Sequence, residues 1–341
     1  YWEVHSGMCC KTLQYPDSPI NLLRVSPDKK WLAVAGNPHT RLFKTDASAQ
    51  GHTHSFDGHT GNVTSVVFTP GQEATTMWTG SEDHTIKHWD LRAASSQTDF
   101  KCKFPVNTVA LHPTKDFLLS GDQGGHIRMW DWRSGRCVRE LQPETESAIR
   151  WLSFSPNGKL LAAVSNSGAC YVWKIGGSEH ASAGQEDAAA NGSTSNNATP
   201  EEQAGQEPGS DAGANGGPMG PNSSALAVPD FLDMKPLKQL QAHPTYALKC
   251  LFSPDSRLLA TCSADHTVKL WSLPSFKQEH TFSGHQRWVW DCEFSSDSNF
   301  LVTGSSDNTA RSWNLALGDT ICHFNGHHKA IISVALCDTT S

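Results

Sequence analysis

Seven aromatic residues, each set among basic, small or β-branched neighbours, recur along the chain at a nearly fixed interval: Trp2, Phe43, Trp89, Trp130, Trp173, Trp271 and Trp313. Successive gaps are 41, 46, 41, 43, 98 and 42 residues, so the fifth gap holds one period plus an insertion of about 55. Trp-Asp endings such as IKHWD and IRMWD, at a period of about 40–45 residues, mark four-stranded propeller blades. A blade buries its apolar face only against its neighbours. The repeat therefore favours one all-β ring over the two average domains that 341 residues could otherwise hold.

Within each period an apolar strand such as NVTSVVF or YALKCLF is followed by a Ser-Pro-Asp type turn. A second strand such as LLATCS, a tight Asp-x-Thr turn and the aromatic strand complete the pattern. The Gly-His ahead of the first strand, the turn Asp and the Trp are expected to form a buried hydrogen-bonded set, so that polar groups inside the sheet are paired. The set is complete as His59, Asp83 and Trp89, as His243, Asp265 and Trp271, and as His285, Asp307 and Trp313. An Asp bonded to a His near a hydroxyl also resembles a catalytic triad. Its recurrence three times at blade spacing assigns it to the architecture of the repeat instead. Elsewhere the set is eroded. Asp122 and Trp130 have no Gly-His, Asn166 precedes Trp173, and Asn37 and His39 precede Phe43, so those blades are expected to rest more on apolar packing.

The two ends complement each other. His327 opens a blade whose own turn Asp and Trp do not follow, and Trp2–Val4 reads as an aromatic strand with no turn before it. Joining them predicts a seventh blade with its first strand over 331–336 and its last two over 2–4 and 9–14, which ties the ring and hides its edges. Its second strand is expected just upstream of Tyr1. The expectation for 1–341 is thus an all-β, seven-bladed WD-repeat β-propeller closed by N- and C-terminal strands that share one blade. Residues 176–230, rich in Ala, Gly, Ser, Asn, Gln and Glu, read as a disordered insertion between two strands of one blade.

Composition narrows the function. The net charge is -7, but 176–230 holds eight acidic residues and no Lys or Arg, which leaves the remainder near +1. No basic face is implied, and nucleic-acid binding loses its electrostatic support. Ten cysteines without C-x-x-C spacing read as small buried thiols in a reducing compartment. No apolar run of about 18 residues is present, so no transmembrane segment is expected. The Gly-rich stretch GDQGGH at Gly121 lies in a strand-to-strand turn and leads into no helix, and His327-His328 lacks further ligands at metal spacing. Neither an enzyme, a cofactor, a metal site nor a small-molecule substrate is indicated.

Binding has a better case. Aligning the repeats, the residue just before the first strand's leading apolar position is Pro19, Asn62, Pro105, Ala148, Tyr246, Trp288 and Ala330. Two places on, the column reads Asn21, Thr64, Asn107, Arg150, Leu248, Trp290 and Ile332. Large aromatics break the first column only at Tyr246 and Trp288, in adjacent blades, with Leu248, Trp290 and Arg287 beside them. Clustered aromatics with an Arg are the composition of a protein-binding hot spot. The competing reading of Trp290 is plain packing between blades.

The stretches INLLRVSPDKKWLAVAGNPHTRLF, MWTGSEDHTIKHWDLR, YALKCLFSPDSRLLATCSADHTVKLW, RWVWDCEFS and VTGSSDNTARSW resemble the G-protein-β-subunit-like family, the small WD-repeat subunits of target-of-rapamycin kinase complexes. The resemblance spans nearly the whole chain outside 176–229. It implies a non-catalytic scaffold that binds the C-lobe of the kinase domain through its upper face and stabilises the kinase. The matching positions are Tyr246, Trp288 and Trp290, with Asn37 and His39. The resemblance also implies a cytoplasmic protein, peripheral on endomembranes through its complex. A different class, a WD-repeat adaptor recruiting substrates to a ubiquitin ligase, is the alternative, and the chain offers no F-box-like helical segment for it.

Overall fold

Alternation of apolar and polar residues, with β-branched and aromatic side chains at the buried places, produces strands such as Val63–Phe68 and Val289–Phe294. The computed structural model describes residues 1–337 except 5, 14, 16, 17, 46–50, 72–74, 94 and 177–232. The predicted insertion thus lies, apart from Gly176, outside the described residues. Tyr1–Ile175 with Met234–Ser341 form one unit. Its strands make six four-stranded antiparallel sheets among the described residues, at 22–56, 63–101, 106–141, 149–241, 247–282 and 289–324. Strands follow one another in chain order across every sheet. In the fourth sheet Ala169–Ile175 pairs directly with Met234–Gln241, so the chain leaves and re-enters that blade between its third and fourth strands.

The first strand of each sheet packs against the first strand of the next, and the core lies between sheets. Trp89 of the second sheet is buried with Leu22, Leu42 and Phe56 of the first, and Trp313 of the sixth with Leu270 and Phe282 of the fifth. Close approach near the end of the second strand demands glycine in three sheets, at Gly80, Gly121 and Gly304. A Cβ on Gly80 would fall 2.8 Å from Val106 and 3.1 Å from Val109 of the following sheet.

The expectation of seven blades requires a correction. The described residues hold six sheets, because a strand needs a hydrogen-bonded neighbour and the chain ends lack one. Trp2 and Cys9 make a single antiparallel bridge, and residues 331–336 pair with no strand. These segments are nevertheless held. Trp2 Nε1 bonds the ring of His327 at 3.2 Å and the indole packs edge-on against Phe324. A cavity of about 990 Å³ lies beside them, lined by Leu23, Val34, Phe43, Val302, Ile331 and Val334 among others.

Residues 331–334 also meet their neighbours as a first strand does. Between the second and third sheets the Val109 N–H donates to Ser65 Oγ at 3.0 Å. At the aligned positions, the Val334 N–H donates to Asp291 Oδ2 at 2.9 Å and the Leu23 N–H donates to Ser333 Oγ at 3.0 Å. A Cβ on Gly304 would likewise fall 2.7 Å from Ile331 and 3.0 Å from Val334.

The thiols need a smaller correction. All ten cysteines are free, but only Cys170, Cys250, Cys262 and Cys292 are buried, while Cys9, Cys10, Cys137 and Cys337 are exposed on end segments and an outer strand.

A candidate protein-docking surface on the upper face

The three repeated sets fold alike. His285 Nδ1 meets Asp307 Oδ2 at 2.8 Å, His285 Nε2 meets Thr303 Oγ1 at 2.8 Å, and Trp313 Nε1 donates to Thr303 Oγ1 at 2.9 Å. The same chain runs through His59, Asp83, Thr79 and Trp89, and through His243, Asp265, Thr261 and Trp271. A neutral imidazole satisfies every member: Nδ1–H donates to the carboxylate, Nε2 accepts the Thr hydroxyl, and that oxygen accepts the indole N–H. Burial pushes His59 and His285 below the ordinary histidine pKa, outweighing the Asp at each ring, which agrees with that state. Burial alone would raise the Asp83, Asp265 and Asp307 carboxyls. Hydrogen bonds from Thr and His neighbours overcome it and hold all three below the usual range.

These residues are internal, with the His side chains almost fully covered, and they hold the turns of one face, here the upper face. Thr303→Val should remove the acceptor of one buried N–H and the donor to one buried ring nitrogen, and cost about 2–3 kcal/mol. Ser120→Ala, which strips a partner from Trp130 Nε1 alone, should cost less. Urea unfolding midpoints check the ranking.

The eroded blades do not simply fall back on apolar packing. In the third sheet Arg128 takes the place of the missing His, paired with buried Asp122 and reaching Glu140 at 3.1 Å. In the fourth, Ser167 and Tyr171 both donate to Glu144. The signal for Arg128 was its place on the aromatic strand, two residues before Trp130.

Tyr246 and Trp288 sit beside the Asp turns: the Ala264 N–H donates to Tyr246 O at 3.0 Å and the Ser306 N–H to Trp288 O at 2.9 Å. They are exposed, at 44% and 39%, although both are large and apolar. Their rings meet edge to face at 6.1 Å, and Trp288 lies 5.3 Å from Trp290, so the three form one continuous aromatic surface across two sheets. Arg287 beside them is exposed. Trp290 is half-buried, its Nε1 donating to Ser306 Oγ at 2.6 Å. It faces the mouth of the ring rather than the rim.

That mouth is a cavity of about 210 Å³ lined by the whole second column, Asn21, Thr64, Asn107, Arg150, Leu248, Trp290 and Ile332. Around it the side chains of Asn21, Thr64 and Asn107 donate to Val63 O, Val106 O and Ile149 O of the next sheet. The polar ladder then gives way to Leu248 and Trp290, where the wall turns apolar. Asn37 and His39 are not part of this cluster. They belong to the first sheet, where the Asn37 N–H donates to Ser18 Oγ and His39 Nδ1 pairs with Asp57 at 2.5 Å.

The model for the WD domain, G-beta repeat, matches residues 50–90, 95–131, 135–174, 234–272 and 276–314. Each match begins at or near the last strand of one sheet and ends on the aromatic strand of the next. Target of rapamycin complex subunit wat1 of Schizosaccharomyces pombe is 41% identical over 340 residues, covering 99% of this chain and 92% of its own. The chain belongs to the WD-repeat family of target-of-rapamycin complex subunits. Target of rapamycin complex subunit LST8 of Saccharomyces cerevisiae is 39% identical over 99% of this chain and 95% of its own. The mouse subunit LST8 is 34% identical over 81% and 70%. In this chain Tyr246 and Trp288 are exposed, whereas the three repeated histidines are buried.

Proposed function

We propose that this chain is a non-catalytic subunit of a target-of-rapamycin kinase complex. It docks through its upper face on the C-lobe of the kinase domain and stabilises the kinase. The observation that carries the reading is the exposed Tyr246–Trp288 pair continued by Trp290, set on a rim where the repeat otherwise places small or polar residues. The names of relatives that match nearly end to end point the same way, and they give no support to a ubiquitin-ligase adaptor. The groups that resemble catalytic residues are used up in holding turns, which favours a role by binding alone. We place the protein in the cytoplasm with that complex, peripheral on endomembranes through it.

We also infer a ring of seven blade positions, the seventh built from 331–336 and the N-terminal aromatic strand. Its support is the pair of bonds from Val334 to Asp291 and from Leu23 to Ser333, which repeat the Val109–Ser65 bond.

Purification of the tagged, full-length protein from its own cells tests the reading. The target-of-rapamycin kinase is expected at near-stoichiometric recovery. Recovery of ubiquitin-ligase subunits in its place would overturn it.

A further inference from the structure

Arg150 stands in the ring of residues around the channel mouth, at the place where Asn21, Thr64 and Asn107 spend their side chains on the next sheet. It does not. Its Nε donates to Asn166 Oδ1 at 2.5 Å, and this bond turns the guanidinium and fixes it. Among the described residues it makes no other hydrogen bond and no ion pair. The group is half-buried, and desolvation pulls its pKa down, only partly offset by the nearby phenol of Tyr246. Of the other charges at the mouth, Lys249 and Asp291 neutralise each other, whereas exposed Glu82 is bonded only by a neutral amide and keeps its charge. Glu82 accepts from Asn62 Nδ2 at 2.8 Å, and Asp291 is paired with Lys249 and bonded by Ser333 and Val334. The mouth therefore carries one partly desolvated cation that makes no ion pair, walled on one side by Leu248 and Trp290.

We propose that Arg150 is the carboxylate-binding subsite of the docking surface: it pairs with an Asp or Glu side chain of the partner protein, next to an apolar side chain seated on Leu248 and Trp290. This inference rests on the upper face being the docking surface. A planar carboxylate matches the free edge of one guanidinium, which binds it through two parallel N–H···O bonds. A phosphate dianion can also bind one guanidinium through two N–H···O bonds, but Arg150 alone would balance only half of its charge, and the other cation at the mouth, Lys249, is already paired with Asp291. The subsite would fix register, while the aromatics supply the buried area.

The test uses the full-length protein and the purified target-of-rapamycin kinase. Arg150→Gln is expected to weaken binding by about tenfold or more, with an unchanged melting temperature. Arg150→Lys puts a primary amine at this position. A carbodiimide should then join it to a contacting carboxylate as an amide, and mass spectrometry should place that cross-link on an Asp or Glu of the kinase. Wild-type affinity of Arg150→Gln, or a bound Arg150→Lys complex with no cross-link from position 150, overturns the proposal. So does a tenfold effect that vanishes when the kinase is treated with phosphatase, which would make the anion a phosphate. Trp288→Ala separates the two readings. If it binds normally, the docking face itself is wrong; if it fails while Arg150→Gln binds as wild type, only the carboxylate subsite falls.

Discussion

Asp291→Ala is expected to destabilise the propeller by about 3–5 kcal/mol, because it leaves the ammonium of Lys249 buried without its main counter-ion. Lys249 and Asp291 are 1% and 2% exposed and pair directly between the fifth and sixth sheets. Glu293 at 3.7 Å and the face of Trp151 at 5.0 Å offer Lys249 partial compensation, which places the cost toward the lower end. Asp291 also accepts from Ser333 Oγ and the Val334 N–H, so its removal releases residues 331–334 at the same time. Denaturant unfolding of the purified protein measures the loss. Replacing both partners, as Lys249→Met with Asp291→Leu, should recover most of it, since an apolar pair of similar volume avoids burying charge. A double variant as unstable as Asp291→Ala would mean that the bonds to Ser333 and Val334, and not the ion pair, carry the effect.

The fold was legible because the repeat imposes the same demand many times over. A polar group inside a sheet must be paired, and His59, His243 and His285 each come with an Asp, a Thr and a Trp, the Thr and Trp always 10 residues apart and the His two residues farther away in the first set than in the others. Where the demand is met by other residue types, the pattern was silent. Arg128 satisfies Asp122 from the aromatic strand instead of from the blade's opening, so a search for Gly-His could not find it. The Lys249–Asp291 pair was within reach. The two residues occupy aligned positions of adjacent blades, and opposite charges there are neighbours, but a reading of one repeat at a time misses a bond between two. The seventh sheet was expected from complementary pieces of the repeat at the two ends, and the pairing it requires is the part that motifs do not supply: Trp2–Val4 has a single bridge to Cys9.

The exposure of the proposed docking surface was partly legible too. Tyr246 and Trp288 stood out as departures from a column, and the structure exposes both. Trp290 was read as an extension of the same rim, but its indole N–H is tied to Ser306 and its ring lines the channel mouth. Asn37 and His39 came only from the family resemblance. They occupy a separate sheet with their own partners, which leaves their part in docking without local support.

Trp288→Ala should weaken binding to the kinase by about 30-fold or more, the effect of losing a buried aromatic anchor worth about 2 kcal/mol. Tyr246→Ala together with Trp288→Ala should take the loss beyond about 100-fold, although the two rings touch and their effects will not simply add. Neither side chain supports the fold: both project from the ends of first strands, and the buried His-Asp-Thr-Trp sets beneath them are untouched. The measurement that tests this account most directly is therefore the affinity of the Tyr246→Ala/Trp288→Ala protein for the purified target-of-rapamycin kinase, taken with its melting temperature. The account predicts lost binding with melting within a degree or two of wild type. Undiminished binding by the folded double variant would contradict it.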